Sequence, residues 1–115
     1  MSKSLTPSGF VSEYPHYLKD KSCALVFYMA PWCPHCVAAK PKMEKFAKGV
    51  KSVLNVYSFD CEKYKGHVEK IQRSVPGFIN GYPTFWIYKG GKPIKEYQGQ
   101  LDLQKLLNMC QRVCA

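Results

Sequence analysis

Two rhythms of apolar and polar residues run along this chain, and each change of rhythm marks a change of element. Ala24 to Met29 (ALVFYM) is an unbroken apolar and aromatic run, as a central strand covered on both faces should be. From Pro34 onward Ala39, Met43, Phe46, Ala47 and Val50 keep helical spacing, with Pro41 inside the pattern to kink it and Gly49 near its end. Val53 to Phe59 predicts a second strand closed by Asp60. Val68, Ile71 and Val75 then share one face of a helix from Lys63 to Ser74. After a loop from Pro76 to Gly81, Thr84 to Tyr88 reads as a third strand, and Gly90-Gly91 turns it into a fourth, Ile94 to Tyr97, giving an antiparallel hairpin. Asp102 is placed to cap a final helix whose stripe is Leu103, Leu106, Leu107, Cys110, Val113 and Cys114. Near the start, Ser12 to Lys19 predicts a short helix with Ser12 as N-cap and Pro15 confined to its first turn. The order (α)βαβαββα predicts an α/β fold: a mixed four- or five-stranded sheet with helices on both faces and a βαβ unit within it.

The 115 residues suffice for one domain and are too few for two separate cores, so residues 1–115 read as a single domain. With 46% hydrophobic and 22% charged residues, the chain is neither a disordered tail nor a membrane protein. A core of this size needs no metal or disulfide staple, so the six cysteines call for another explanation. Seventeen Lys and Arg against eight Asp and Glu leave a net charge of +9, which raises an acidic partner or a nucleic acid. Lys40, Lys42, Lys45, Lys48 and Lys51 instead fit the solvated face of one helix, and no nucleic-acid motif accompanies them. MSKSLTPSGF lacks the apolar run of a secretory leader and RVCA is not a retention signal. As written, the chain is expected in the cytoplasm, or in the ER lumen or a virion if it is processed or viral.

Cys33 and Cys36 stand where the apolar strand hands over to the helix. At a helix start the first N–H groups are unpaired and the dipole is positive, which favours a thiolate. Cys33 gains most and would attack a substrate disulfide, and Cys36, one turn further in, would resolve the mixed disulfide. A zinc site needs four ligands, and the other close pair, Cys110 and Cys114, lies on a core-facing stripe, so neither a metal nor another cofactor is called for.

The segment LVFYMAPWCPHC, Pro41 eight residues after Cys33, and GYPTF at Gly81 to Phe85 resemble the thioredoxin superfamily, and most closely the catalytic domains of protein disulfide isomerases. The resemblance spans most of the chain. It implies a thioredoxin fold, Pro83 in cis facing the redox pair, and the Tyr82 backbone pairing with a substrate strand. Trp32 is implied as the rim of the site. The Pro34-His35 dipeptide matches that of DsbA-like oxidases, and a His35 imidazolium near the Cys33 sulfur would stabilise the thiolate and make the disulfide more oxidising. Such oxidases lie about 150 mV above thioredoxin, about 7 kcal/mol for two electrons, so the dipeptide is expected to set direction.

Three positions depart from that pattern. The acidic residue that the family buries beneath the inner cysteine falls on Phe27, the lysine that pairs with it in isomerases falls on Ser58, and the arginine after the last strand falls on Gln100. Losing both members of a buried ion pair costs less than stranding one. Either the inner thiol is deprotonated by another route, such as water near His35, or its step is slow. Cys23, Cys61, Cys110 and Cys114 read as small packed residues, and His16 and His67 as surface residues. Tyr57, Tyr64, Phe78, Tyr82 and Phe85 belong to the core and the site rim. The leading reading is a monomeric thiol-disulfide oxidoreductase acting on protein substrates, in the oxidase or isomerase direction, served by an upstream redox partner. The alternatives are a peptide-binding module with weak redox activity and a nucleic-acid-packing protein.

Overall fold

A computed structural model describes residues 2–115. Five strands, β1 (Lys3–Leu5), β2 (Ala24–Met29), β3 (Asn55–Asp60), β4 (Thr84–Lys89) and β5 (Lys92–Tyr97), form one sheet in the order β1-β3-β2-β4-β5. β1 and β2 both run parallel to β3, and β4 is antiparallel to β2 and β5. The helices are α1 (Pro34–Val50), α2 (Lys65–Ser74) and α3 (Leu103–Cys114). The apolar run of β2 is central because it is flanked on both edges and covered on both faces. Leu25 and Phe27 join α1 and α3 in one core, and Ala24, Val26 and Tyr28 join Ile71 of α2 in the other. Five of its six residues are buried. Alternation along a pleated strand thus assigns each β2 side chain to one of two cores.

α1 keeps Pro41 inside it and buries Cys36, Ala39, Met43, Phe46, Ala47 and Val50 on one face. Asp102 caps α3, its carboxylate accepting from the N–H groups of Gln104 and Lys105. The β4–β5 turn needs glycine at Gly91, where φ is +81° and a Cβ would come within 2.5 Å of the Leu18 carbonyl oxygen.

Three expectations are corrected. Ser12 to Lys19 is not a helix. Phe10 and Leu18 form an antiparallel bridge, and the Leu18 N–H donates to Gly91 while that of Lys19 donates to Gly9. The His16 carbonyl accepts from Tyr88 and the Pro15 carbonyl from His67, so tertiary partners take the backbone groups a helix would have used. His16 and His67 are accordingly half-buried in this packing rather than surface residues, and burial lowers the pKa of each. The third correction concerns Cys23 and Cys114, which are joined in a disulfide with Cα atoms 5.8 Å apart. The stripe that carries Cys114 brings the end of α3 back to the residue preceding β2. Cys61 and Cys110 stay free and buried, as packed residues should.

Candidate active site

β2 ends at Met29 and the chain turns through Ala30 to Trp32 before α1 begins. Cys33 is the N-cap of α1, with Pro34 in its first turn, where its fixed φ costs nothing and its missing N–H is not needed. The Cys33 N–H donates to Ala30 and its carbonyl accepts from Val37, which fixes the cysteine at the corner. Its thiol makes no cap hydrogen bond, yet the N–H of Cys36 is the main influence lowering its pKa. The Cys36 thiol and the His35 N–H add to this, while burial opposes it. The two N–H groups are unpaired donors of the helix start. The imidazole of His35 makes no hydrogen bond among the described residues, so its backbone, not its ring, is what meets the Cys33 sulfur here.

Cys36 is fully buried. Burial pushes its thiol up to about 11, with the neighbouring Cys33 adding to the rise. Two thiols one helical turn apart are therefore biased in opposite directions. The outer one is readied as a thiolate and the inner one is held protonated.

The loop before β4 closes the site from the other side. The Tyr82–Pro83 peptide is cis, and the Tyr82 carbonyl accepts from the Cys33 thiol at 3.5 Å. Trp32 is 63% exposed and meets the Tyr82 ring edge-on, centroids 5.9 Å apart. The structure thus brings together Trp32, Cys33, Cys36, Tyr82 and Pro83, with Pro34 and His35 exposed on the first turn of α1. A groove of about 730 Å³ runs away from His35 and Pro83 past Lys42, Glu96 and Gln98 to Gln100.

A second cavity, about 620 Å³, lies on the other side of α1, beneath Cys36. Phe27 and Ser58 both line it and are direct register partners across β2 and β3. Phe27 is 2% exposed and stacks on Phe85, so an apolar ring occupies the position from which a carboxylate would face Cys36. Glu44 and Asp60, which also line this cavity, were not singled out from the sequence. Alternation in the sequence relates Phe27 to Met29 and Ser58 to Asp60 within their own strands, but it is the β2–β3 register that puts all four on one face. On the opposite side of the sheet Cys61 lies beside the Tyr82 hydroxyl, and burial pushes both groups up to about 12.

No group of three or more His, Cys, Asp or Glu side chains fit to hold a metal occurs among the described residues. Nor is any helix there long and apolar enough to cross a membrane.

Comparison with known proteins gives a consistent set of relatives. A family profile described as thioredoxin matches residues 6–112. Over 102 residues the chain is 32% identical to protein disulfide-isomerase like 2-2 of Arabidopsis thaliana, covering 89% of this chain and 21% of that protein. Over 107 residues it is 36% identical to protein disulfide isomerase-like 2-1 of Oryza sativa subsp. japonica, covering 90% and 26% respectively. The chain thus spans about a fifth to a quarter of the length of these relatives. Among solved structures, the Trx4 domain of ERdj5 superposes with a TM-score of 0.74 at 26% identity, covering 97% of this chain and 94% of that one.

Proposed function

Since the chain belongs to the thioredoxin family, has its fold, and is similar over about 90% of its length to protein disulfide isomerases, we propose that it exchanges thiols and disulfides in protein substrates through Cys33 and Cys36. The observation that carries this reading is the opposed bias of the two thiols at one helix start. A low-pKa thiol at Cys33 is the attacking group, and a buried thiol behind it is the resolving group. In reduction, the Cys33 thiolate attacks one sulfur of a substrate disulfide and expels the other as a thiolate. Cys36 then attacks the Cys33 sulfur, releasing the second substrate thiol and leaving a Cys33–Cys36 disulfide. Oxidation runs the same steps backwards. Trp32, Tyr82 and Pro83 border the attack point and hold an extended substrate segment there.

Oxidase or isomerase is the favoured direction, on the strength of Pro34 and His35 beside a thiolate already favoured by helix-start amides. The Cys23–Cys114 disulfide suits an oxidising compartment such as the ER lumen better than the cytoplasm expected from the sequence. In this reading residues 1–115 act as one redox unit, as a monomer, recharged by an upstream protein partner. The Phe27 ring beneath Cys36 favours one competing reading, a peptide-binding module of weak redox activity. Two measurements separate them: the reduction potential of the Cys33/Cys36 pair against glutathione, and recovery of a scrambled disulfide protein with catalytic amounts of this chain. Recovery that depends on both cysteines supports the enzyme. Stoichiometric peptide binding without turnover supports the module.

A further inference from the structure

The two-cysteine exchange proposed above contains a step for which the site has no evident group. Cys36 must lose its proton to attack, since the thiolate is the nucleophile. It is fully buried. His35, the nearest titratable side chain in sequence, lines the groove on the other side of α1 and not the cavity beneath Cys36. That cavity reaches the surface beside the exposed Ser4, Lys40 and Lys63, so water has access to it.

Besides Cys36, the ionisable side chains lining it are Lys40 and Glu44 of α1, Asp60 at the end of β3, and Lys63 and Tyr64 before α2. Of these the two carboxylates are the proton-accepting groups, and their surroundings differ. Both oxygens of Glu44 are taken, one by the Ser2 N–H and the other by the Ser2 hydroxyl. Asp60 uses Oδ1 alone, for the N–H groups of Glu62 and Lys63, each at 3.0 Å. Its Oδ2 has no hydrogen-bond partner among the described residues. Strand alternation turns Asp60 to the same side of the sheet as Phe27 and Ser58. Lys40 and Lys63 line the same cavity and their charges suit an ionised carboxylate there. Cys61 and Tyr82 do not line this cavity, and burial keeps both protonated to about 12, so neither can accept the proton.

From this arrangement we propose that Asp60 is the proton acceptor of the resolving step, reached from Cys36 through the water of the shared cavity. In the mixed disulfide, the proton of the Cys36 thiol passes by way of that water to Asp60 as the Cys36 sulfur attacks the Cys33 sulfur. The Cys33–Cys36 bond forms, the Cys33–substrate bond breaks, and the substrate sulfur leaves with the electron pair and takes a proton from solvent. Asp60 then returns its proton to bulk water through the mouth between Lys40 and Lys63.

The test is single-turnover reaction of the reduced chain with 5,5′-dithiobis(2-nitrobenzoate), which releases one coloured thiolate when Cys33 attacks and a second when Cys36 resolves. Rates are followed from pH 6 to 9. Asp60→Asn keeps the Oδ1 acceptor that holds the Glu62 and Lys63 amides, so the turn should survive, and a thermal melt checks this. The first release should be unchanged. The second should slow by about tenfold or more at pH 7 and climb steeply with pH as hydroxide takes over. Asp60→Glu should recover part of the loss, and Glu44→Gln should change neither phase. A second release in Asp60→Asn with the rate and pH profile of the unmodified chain, or a slowing in Glu44→Gln instead, overturns the assignment while leaving the redox reading intact. Absence of any first release in the unmodified chain overturns the redox reading and this inference with it.

Discussion

Cys33 and Cys36 are the same chemical group one helical turn apart, and everything that distinguishes them is environment. Cys33 caps the helix at the corner, 6% exposed beside the exposed Trp32 and Pro34, and meets the N–H groups of Cys36 and His35. Cys36 is inside and meets mostly apolar surroundings. Because the Cys33 thiol lies below its ordinary value, its thiolate fraction, and so its alkylation rate, should persist as pH falls, whereas those of Cys36, Cys61 and Cys110 should collapse first. Iodoacetamide at about pH 6 should therefore modify Cys33 ahead of every other cysteine, as mass mapping will show. Labelling led by Cys110 would contradict the assignment. Replacing Pro34 with Gly and His35 with Pro should make the disulfide less oxidising, each 30 mV of lowered potential corresponding to about 1.4 kcal/mol. The structure sharpens what this experiment asks, since the main influence on the Cys33 thiol is the Cys36 amide, which the exchange retains. If the potential stays put, the helix start rather than the dipeptide controls it.

At the scale of elements, the legible parts were those whose burial repeats with a local period. α1, α3 and the β4–β5 hairpin lie where their stripes and turn residues put them, and Cys33 falls at the corner because an apolar run meets a helical pattern there. What escaped was set by distant partners. β1 is three residues long with only Leu5 buried, and it is a strand because β3 offers it an open edge. The segment from Ser12 to Lys19 lost its helix to hydrogen bonds with nearby Gly9 and with Gly91, Tyr88 and His67, the last three far outside any local window. The same holds for Asp20, which lies before β2 and accepts from Ser22, from Asn55 and from the Tyr57 hydroxyl of β3. Burial alone would raise its pKa, but these bonds outweigh it and hold the carboxyl well below the usual range. A carboxylate with a depressed folded pKa stabilises the fold above its unfolded value of about 4 and loses that contribution as pH falls toward the folded value. Asp20→Asn should therefore lower stability at pH 6 and flatten the decline between about pH 4 and 2. Urea melts across that range check it, and parallel curves for both proteins would show that the knot carries no charge-dependent stability.

For the whole molecule, the disulfide is the feature that local reading could least supply, because its cysteines are 91 residues apart. Cys23 precedes the strand that leads to the redox corner, and Cys114 ends the last helix, so the bond closes nearly the entire chain into one loop. In the chain-entropy account, closing a loop of about 90 residues stabilises a fold by about 4 to 5 kcal/mol, and measured values more often fall at about 2 to 4. For a protein of this size, each kcal/mol moves the melting temperature by about 3 to 6 °C. The Cys23→Ala/Cys114→Ala double variant should thus melt about 10 to 20 °C below the parent while keeping its fold, since Cys23 packs only against the edge of one core and Cys114 belongs to neither. Cys110, one turn before Cys114 and fully buried, should stay unreactive in the native variant. The melt also separates two kinds of redox sensitivity. Mild reductant that opens only the Cys33/Cys36 pair should leave the melting temperature unchanged or raise it, because the favoured Cys33 thiolate stabilises the reduced form and the short loop contributes little to the oxidised one. Stronger reductant that reaches Cys23–Cys114 should reproduce the drop of the double variant. Equal melting temperatures for the parent and the double variant under oxidising conditions would show that the bond does not hold the fold together, and would remove the main structural argument for an oxidising compartment.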